Sequence, residues 1–266
     1  MPSDSTLFRR RKRLQAFGNI ALAAGVFIVL FGLWEFAART NLVDPLFSSS
    51  PSRIVTAGSE MLRGGDLPRN LAASAQVFGV GFGLAVAFGV PIGVLLGWFK
   101  PVNRAFSPLV SVLYTTPHIA MMPLFIIWFG LGLGSKVALV LLSAIFPLIV
   151  NMQVAMTNID REFTAVGRAY GATQWQLFRT IALPSSVPFL LTGLRLAVGR
   201  ALLGVVAAEV FGGSTGIGYM IEYDGATFRI DDVFVGVVII AVFGVVMNRA
   251  LHYLNRKVDG WRLNDA

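Results

Sequence analysis

The sequence contains no cysteine and only two histidines, His118 and His252. Without cysteine, the chain has no disulfide framework, no thiol nucleophile and no thiolate metal site. Two histidines on separate segments, without clustered acids nearby, provide no set of metal ligands. No glycine is followed by lysine, so the phosphate-binding loop G-x-x-x-x-G-K-[ST] is also missing. If ATP powers this protein, another chain must bind it.

Charged residues are scarce as well, at 14% of 266 residues, whereas 55% are hydrophobic and the mean hydropathy is +0.70. One soluble core cannot bury so much apolar surface. Several uncharged runs reach the roughly 20 residues that a helix needs to cross a bilayer. The sequence therefore predicts an all-α membrane protein, a single transmembrane domain over 1–266, with six transmembrane helices at about 16–38, 71–99, 105–128, 137–159, 187–210 and 233–254.

The basic run at 9–13 directly precedes the first apolar run. A cleaved signal peptide is the alternative, but the apolar run is long and lacks a convincing cleavage site before Arg39, which favours a retained span. Nucleic-acid binding by the basic run is disfavoured. Of the 22 Lys and Arg residues, six spans place 14 on the side of both termini and 6 on the other, with Arg195 and Arg200 inside the fifth span. This bias predicts cytoplasmic termini.

Two spans carry packing and pathway features. Gly89, Gly93 and Gly97 in the second span recur every four residues, which favours close approach of another helix. The third span is interrupted by Pro117, and irregular backbone at membrane depth persists where protein or a water-filled cavity satisfies it. Thr116 and His118 are therefore candidates for a pathway lining, and the alternative is a proline kink with a hydrogen-bonded core histidine.

The fifth span holds Arg195, Arg200 and Glu209, the ionisable residues predicted deepest in the bilayer. Such groups are costly in hydrocarbon and usually face the bundle interior. Arg195 is close enough to the inner surface to snorkel. For Arg200 both a pathway lining and an internal ion pair remain open, and Glu209 is a further candidate for the pathway.

Between the fourth and fifth spans lies a polar segment, 160–184, with almost no apolar face of its own. Asp160 is a possible N-cap, Gly171 suits a left-handed helix end, and Thr173 with Gln176 fits a capping box. We expect two short helices, the second ended by Pro184. Exposed Trp175 and Phe178 would suit the groove of a partner, and the alternative is a loop helix resting on the headgroups.

The pattern of Gly171, nine residues, Ile181, one residue, Leu183 and Pro184 resembles the second half of the EAA loop of ABC importer permeases. In that family the loop docks onto a separate ATPase subunit. The resemblance implies that the contact residues are Gly171, Trp175, Leu177, Phe178, Ile181, Leu183 and Pro184. The family's Glu-Ala-Ala falls here on residues 165–167, which are Ala-Val-Gly.

Further stretches, among them Gly134-Ser135-Lys136 and Ala208-Glu209, resemble the permeases of nitrate, sulfonate, taurine and bicarbonate importers. The resemblance implies the type I importer fold, a bacterial inner-membrane homodimer and alternating access. It also implies cytoplasmic ATP-binding subunits that carry ATP and Mg, and a periplasmic or lipid-anchored solute-binding protein. On this chain it implies no cofactor, no metal and no catalytic residue.

Parts of the sequence also fit other classes of protein. Gly212-Gly213-Ser214-Thr215-Gly216 matches G-x-S-x-G, so an intramembrane serine protease using Ser214 is an alternative. The six predicted spans put His252 on the opposite side of the bilayer from Ser214. This separation argues against a protease, because the serine would need a histidine within reach. A membrane scaffold or receptor subunit would recruit a cytoplasmic partner without moving solute, and a self-sufficient channel would have no use for a coupling segment.

Overall fold

The computed structural model describes residues 22, 25–40, 42–44 and 46–259, and every regular element in this part of the chain is helical. A 3-10 turn at His118–Met121 and a π-helical segment at Phe178–Ala182 supplement the α-helices. In chain order these are α1 (25–39), α2 (Pro51–Gly64), α3 (Asp66–Trp98), α4 (Lys100–Thr115), α5 (Met122–Phe129), α6 (Leu133–Thr157), α7 (Arg161–Ala169), α8 (Gln174–Leu177), α9 (Leu183–Gly212), α10 (Ile217–Ala226) and α11 (Ile230–Asp259).

Four helical stretches in the described part are long and apolar enough to cross a membrane: α3, α6, α9 with the short helices before it, and α11. A fifth span is formed if α4 counts together with the 3-10 turn and α5, which are bent by 85°. These correspond to five of the predicted spans. The first predicted span, 16–38, lies partly outside the described residues, and its described portion belongs to α1.

The core of the bundle is α6, packed between α3 and α9. Small residues allow these helices to approach closely. A methyl group added to Gly93 of α3 would lie 2.6 Å from the Ile149 carbonyl oxygen, and one added to Gly204 of α9 would lie 3.2 Å from Ser143 Oγ. The predicted close approach along Gly89, Gly93 and Gly97 is confirmed, with α6 as the neighbour.

The expectation that Pro184 ends a helix is wrong. The helix that begins at Gln174 continues to Gly212, passing through the π segment. In that segment Leu183 N–H donates to the carbonyl of Phe178, five residues back. The widened register lets the chain pass proline, whose missing N–H would interrupt a regular α-helix. The fifth span therefore begins well before residue 187.

Two segments between the spans also differ from simple loops. One of them contains α2, whose N-cap Ser50 accepts a hydrogen bond from Arg53 N–H and whose Ile54 and Met61 are buried. The segment between α9 and α11 contains α10. Its apolar residues Ile217 and Met220 pack with α2 and α11, so this helix covers one end of the bundle.

Candidate functional site

A polar cavity lies where the third span breaks. Helix α4 ends at Thr115. The next two residues, Thr116 and Pro117, are extended or irregular, and the chain continues as a 3-10 turn that begins at His118. The cavity has a volume of about 420 Å³, and α6 and α9 complete it. It is lined by Tyr114, Thr115, Thr116, Pro117, His118, Ile119, Ser143, Arg200, Leu203 and Gly204. The structure thus brings together three of the four predicted pathway residues: Thr116, His118 and Arg200.

The break leaves carbonyl groups that side chains satisfy. Thr116 Oγ1 donates to the Val112 carbonyl at 2.9 Å, and His118 Nε2 lies 2.9 Å from the Leu113 carbonyl oxygen. The imidazole also stacks on Phe146, with ring centroids 5.3 Å apart. These contacts explain how an irregular turn is stable beside a cavity between membrane-spanning helices.

Arg200 gives the cavity its charge. Its side chain is exposed, and among the described residues no carboxylate lies within ion-pair distance of it. An arginine without an acidic partner attracts anions, and its planar group can donate two parallel hydrogen bonds to one oxyanion. The cavity is therefore chemically suited to an anion, with hydroxyl groups and one imidazole around a single cation.

Glu209, the fourth predicted pathway residue, is placed elsewhere. It is buried at 0% exposure near the end of α9 and does not line the cavity. Ser74 Oγ of α3 donates to both carboxylate oxygens, at 2.8 and 2.9 Å, and Gly218 N–H donates to Oε2 at 2.8 Å. The prediction that Glu209 faces the bundle interior is confirmed, and its surroundings are those of a buried polar cluster.

We call Asn70, Ser74, Glu209 and residues 216–218 the Glu209 cluster. Ser74 Oγ accepts a hydrogen bond from Ile217 N–H at 2.8 Å, and Asn70 Oδ1 accepts one from Gly216 N–H at 2.9 Å. Gly216 has a φ of 121°, which favours glycine, and an added methyl group would collide with the Glu209 carboxylate. The cluster thereby ties the segment after α9 to α3.

The same end of the bundle carries further polar contacts. Buried Lys136 of α6 donates from Nζ to the Thr215 carbonyl at 3.3 Å. Arg229 bridges Asp224 and Asp232, at 3.4 and 2.5 Å, and closes the turn between α10 and α11. Burial raises the pKa of the Asp224 carboxyl, and the adjacent Arg229 guanidinium opposes that shift.

At the opposite end of α9, the segment 160–184, hereafter the coupling segment, forms two short helices. Asp160 Oδ1 accepts a hydrogen bond from Glu162 N–H at 2.8 Å, and Gly171 has a φ of 79°. Thr173 N–H donates to Gln176 Oε1 at 2.7 Å, and Gln176 N–H donates to Thr173 Oγ1 at 3.3 Å. The predicted N-cap, left-handed glycine and capping box are all confirmed.

Two of the predicted contact residues face inward. Leu177 is 1% exposed and packs over Gly167, where an added methyl group would lie 2.6 Å from Leu177 Cδ2. Gly167 stands where the EAA pattern has alanine, so this departure accommodates Leu177. Half-buried Phe178 packs edge-on against Trp98 of α3, with centroids 5.1 Å apart. Leu177 therefore packs α8 against α7 within the coupling segment, and Phe178 packs the segment against α3 of the bundle.

The exposed apolar surface of the segment consists of Phe163, Val166, Tyr170 and Trp175, which we call the docking patch. Their exposures are 65%, 56%, 89% and 66%. Only Trp175 was predicted, and the expectation that the segment has almost no apolar face is wrong. The spacing of Phe163, Val166 and Tyr170 places them along one face of α7, so helical periodicity could have found them.

The remaining predicted contacts are Gly171, which is exposed, and Ile181, Leu183 and Pro184, which are partly exposed where the helix passes into α9. At the other end of α9, Ser214 follows the helix C-terminus. His252 lies near Arg195, with Arg195 Nη2 3.4 Å from His252 Nδ1. From Arg195 to the end of α9 the helix rises by on the order of 25 Å, so His252 cannot serve Ser214 as a base.

A bundle of apolar helices with a polar cavity and a two-helix coupling segment defines a transport permease with the type I ABC importer fold. Residues 89–260 match the family described as "Binding-protein-dependent transport system inner membrane component". The chain belongs to this family. It is therefore a membrane component of a transport system and not the system's catalytic subunit.

Relatives align along most of the chain. A putative aliphatic sulfonates transport permease of Bacillus subtilis is 33% identical over 252 residues, 95% of this chain and 90% of the relative. The taurine transport system permease of Escherichia coli is 28% identical, covering 91% and 90%. A formylaminopyrimidine transport permease of Halalkalibacterium halodurans is 33% identical, covering 89% and 94%.

Solved structures support the fold. An inward-facing structure of the MetNI methionine ABC transporter superposes with a TM-score of 0.65 at 20% sequence identity, covering 72% of this chain and 95% of the other. A second crystal form of that transporter gives a TM-score of 0.62. The type I permease fold predicted from the sequence is confirmed.

Proposed function

We propose that this chain is the permease subunit of an importer that moves a small anionic solute, such as a sulfonate, taurine or nitrate, into the cytoplasm. The observation that carries the proposal is Arg200, a cation without an acidic partner among the described residues, facing a cavity with Thr116 and His118. The sulfonate and taurine named for relatives agree with an anionic group as the recognised feature.

In this proposal a partner subunit binds and hydrolyses ATP. The docking patch exposes four apolar side chains on two short helices, and helices with such a face bind hydrophobic grooves. We assign that groove to a cytoplasmic ATP-binding subunit that carries ATP and Mg, with a periplasmic or lipid-anchored binding protein delivering the solute. Both termini and the coupling segment then lie in the cytoplasm, as the distribution of Lys and Arg predicts.

A second copy of the chain completes the pathway. The residues around α5 leave Ile127, Trp128, Phe129 and Leu131 exposed at 57% to 77%, beside the cavity-lining turn. On a membrane-spanning element such side chains contact either lipid or another helix, and we assign them to the second copy because they adjoin the cavity. In the homodimer, each cavity would face the pathway between the subunits, and alternating access would open it to one side and then the other.

The anion assignment is tested by uptake into proteoliposomes that contain the permease, its ATPase and a solute-binding protein. Arg200→Gln is expected to lower uptake of an anionic solute by about tenfold or more, because a charged hydrogen-bond donor is lost. Arg200→Lys should retain part of the activity, and Arg63→Gln, at an exposed site on α2, serves as the control. Wild-type uptake by Arg200→Gln would refute the role of Arg200.

The partner assignment is tested by co-purification of the ATPase. Phe163→Asp with Tyr170→Asp should abolish association while leaving the melting temperature unchanged, because both side chains are exposed. The control is Leu46→Asp, an apolar residue that is 58% exposed and lies outside the coupling segment. ATPase association without any ATP-dependent uptake would favour a scaffold or receptor subunit instead.

A further inference from the structure

A second polar cavity, of about 540 Å³, lies between α9 and α11, on the side of α9 away from Arg200. Its lining is Arg195, Val245, Asn248, Arg249, His252 and Tyr253. Five residues separate Arg195 from Arg200, which is a rotation of ~140° around the helix. The cavity near Arg195 is therefore distinct from the one proposed for the solute.

The described residues give this cavity a positive charge. Arg195 and Arg249 both line it, and among the described residues neither lies within ion-pair distance of a carboxylate. Arg195 Nη2 lies 3.4 Å from His252 Nδ1, and Nε of the same side chain is enclosed, with no hydrogen-bond partner among the described residues. Two cations that line one cavity attract an anion, and a guanidinium group can donate two parallel hydrogen bonds to one oxyanion.

The position of the cavity indicates where the anion comes from. Arg249 and His252 lie in the last turns of the apolar stretch Ile230–Leu254, at the end of the bundle that carries the coupling segment. Above them α11 exposes an apolar surface toward the bilayer, formed by Val238, Val242, Val245 and Val246 at 42% to 58% exposure. A ligand with an anionic head and hydrocarbon chains matches both parts of this surface.

We propose that the groove between α9 and α11 binds the phosphate of an anionic phospholipid from the cytoplasmic leaflet. Arg195 and Arg249 hold the phosphate oxygens, Asn248 and His252 border it, and the acyl chains lie along the valines of α11. Basic pockets between membrane helices on the cytoplasmic side are suited to such headgroups. The bound lipid neutralises the two arginines and fixes α11, the least buried of the four long spanning helices in the described part of the chain, against α9.

The test is lipid binding to the purified full-length chain in detergent, measured by native mass spectrometry. The probes are phosphatidylglycerol and phosphatidylcholine with the same acyl chains. Replacing both arginines, Arg195→Gln and Arg249→Gln, should weaken binding of phosphatidylglycerol roughly thirtyfold, the loss expected from two cations near an anionic lipid. Binding of phosphatidylcholine should remain unchanged.

The matched control is Lys100→Gln with Arg104→Gln, which removes two exposed cations at the same end of the bundle. The charge-preserving pair, Arg195→Lys with Arg249→Lys, should retain most of the binding and shows that the groove still folds. Equal loss in the control pair would overturn the site. Saturation of the groove by millimolar inorganic phosphate, or occupation by the chain's own C-terminal residues in a crosslinking experiment, would overturn the lipid assignment.

Discussion

The two ends of one continuous helix are built in opposite ways. From Gln174 to Gly212 the helix runs from the coupling segment to the Glu209 cluster. At the Glu209 end a fully buried carboxylate accepts hydrogen bonds from α3 and from the segment that follows α9. At the other end large apolar side chains are exposed, with Tyr170 at 89%. One end is a satisfied polar anchor, and the other offers a surface for a partner.

This difference indicates how force would pass along the helix. α9 packs closely on α6 through Gly193 and Gly204, and close packing of this kind transmits strain from one helix to the other. Arg200 lies between the two ends and faces the cavity. In the proposed importer, a displacement of the coupling segment by the ATPase would be carried along α9 to the cavity wall, while the Glu209 cluster holds the far end of α9 against α3.

The largest effect is expected for a substitution that removes the carboxylate from the Glu209 cluster. Glu209→Ala removes the acceptor for Ser74 Oγ and Gly218 N–H and leaves both buried. At about 2 kcal/mol for each unpaired group, the loss is about 4 kcal/mol. The apparent melting temperature in detergent should fall by on the order of 10 °C. Glu60→Ala, at an exposed acid on α2, is the control and should melt like the wild type. An unchanged melting temperature for Glu209→Ala would mean that the anchor is not a stabilising element.

What the sequence could predict depends on the range of the interactions involved. Patterns within a few residues predicted the Asp160 N-cap, the Thr173 capping box and the break at Pro117, and each is present. The four-residue glycine spacing predicted a close helix contact on α3, although not the identity of α6 as the neighbour.

Contacts between distant parts of the chain escaped prediction. Ser74 and Glu209 are 135 residues apart, and no local pattern relates them, so Glu209 was assigned to the pathway. Pro184 normally ends a helix, and only the π segment before it allows the helix to continue. Leu177 was expected on the outside, but the missing side chain at Gly167 creates the space that buries it.

The next comparison is between a buried and a partly exposed leucine of the coupling segment. Leu177→Ala empties the space over Gly167, and burial of leucine in a packed site contributes about 3 kcal/mol. The lost packing lies between α7 and α8. Amide hydrogen exchange in residues 162–171 should therefore accelerate, while exchange in α6 stays constant. Leu183→Ala, at a residue 36% exposed, is the comparison and should have a much smaller effect. Equal exchange in both variants would contradict the inward role of Leu177.

A third comparison uses two stacked aromatic residues. Trp175 and Phe178 have ring centroids 5.5 Å apart, but only Phe178 also contacts Trp98 of α3. Phe178→Ala should destabilise the attachment of the coupling segment by about 2 kcal/mol, from lost burial and the lost aromatic pair. Trp175→Ala should leave the melting temperature nearly unchanged and weaken ATPase association instead. If both variants behaved alike, the division between attachment and docking would be wrong.

The smallest effect concerns the start of α8. Thr173→Ala removes one half of the capping box and should loosen the helix start by about 1 kcal/mol, without changing global melting. The control lies in the same segment, since Thr180 Oγ1 donates to the Gln176 carbonyl within the helix and caps nothing. Thr180→Ala should be neutral or slightly stabilising, because alanine has the higher helix propensity. Amide exchange at residues 174–177 should be faster in Thr173→Ala alone, and identical exchange in the two variants would show that the capping box does not hold the start of α8.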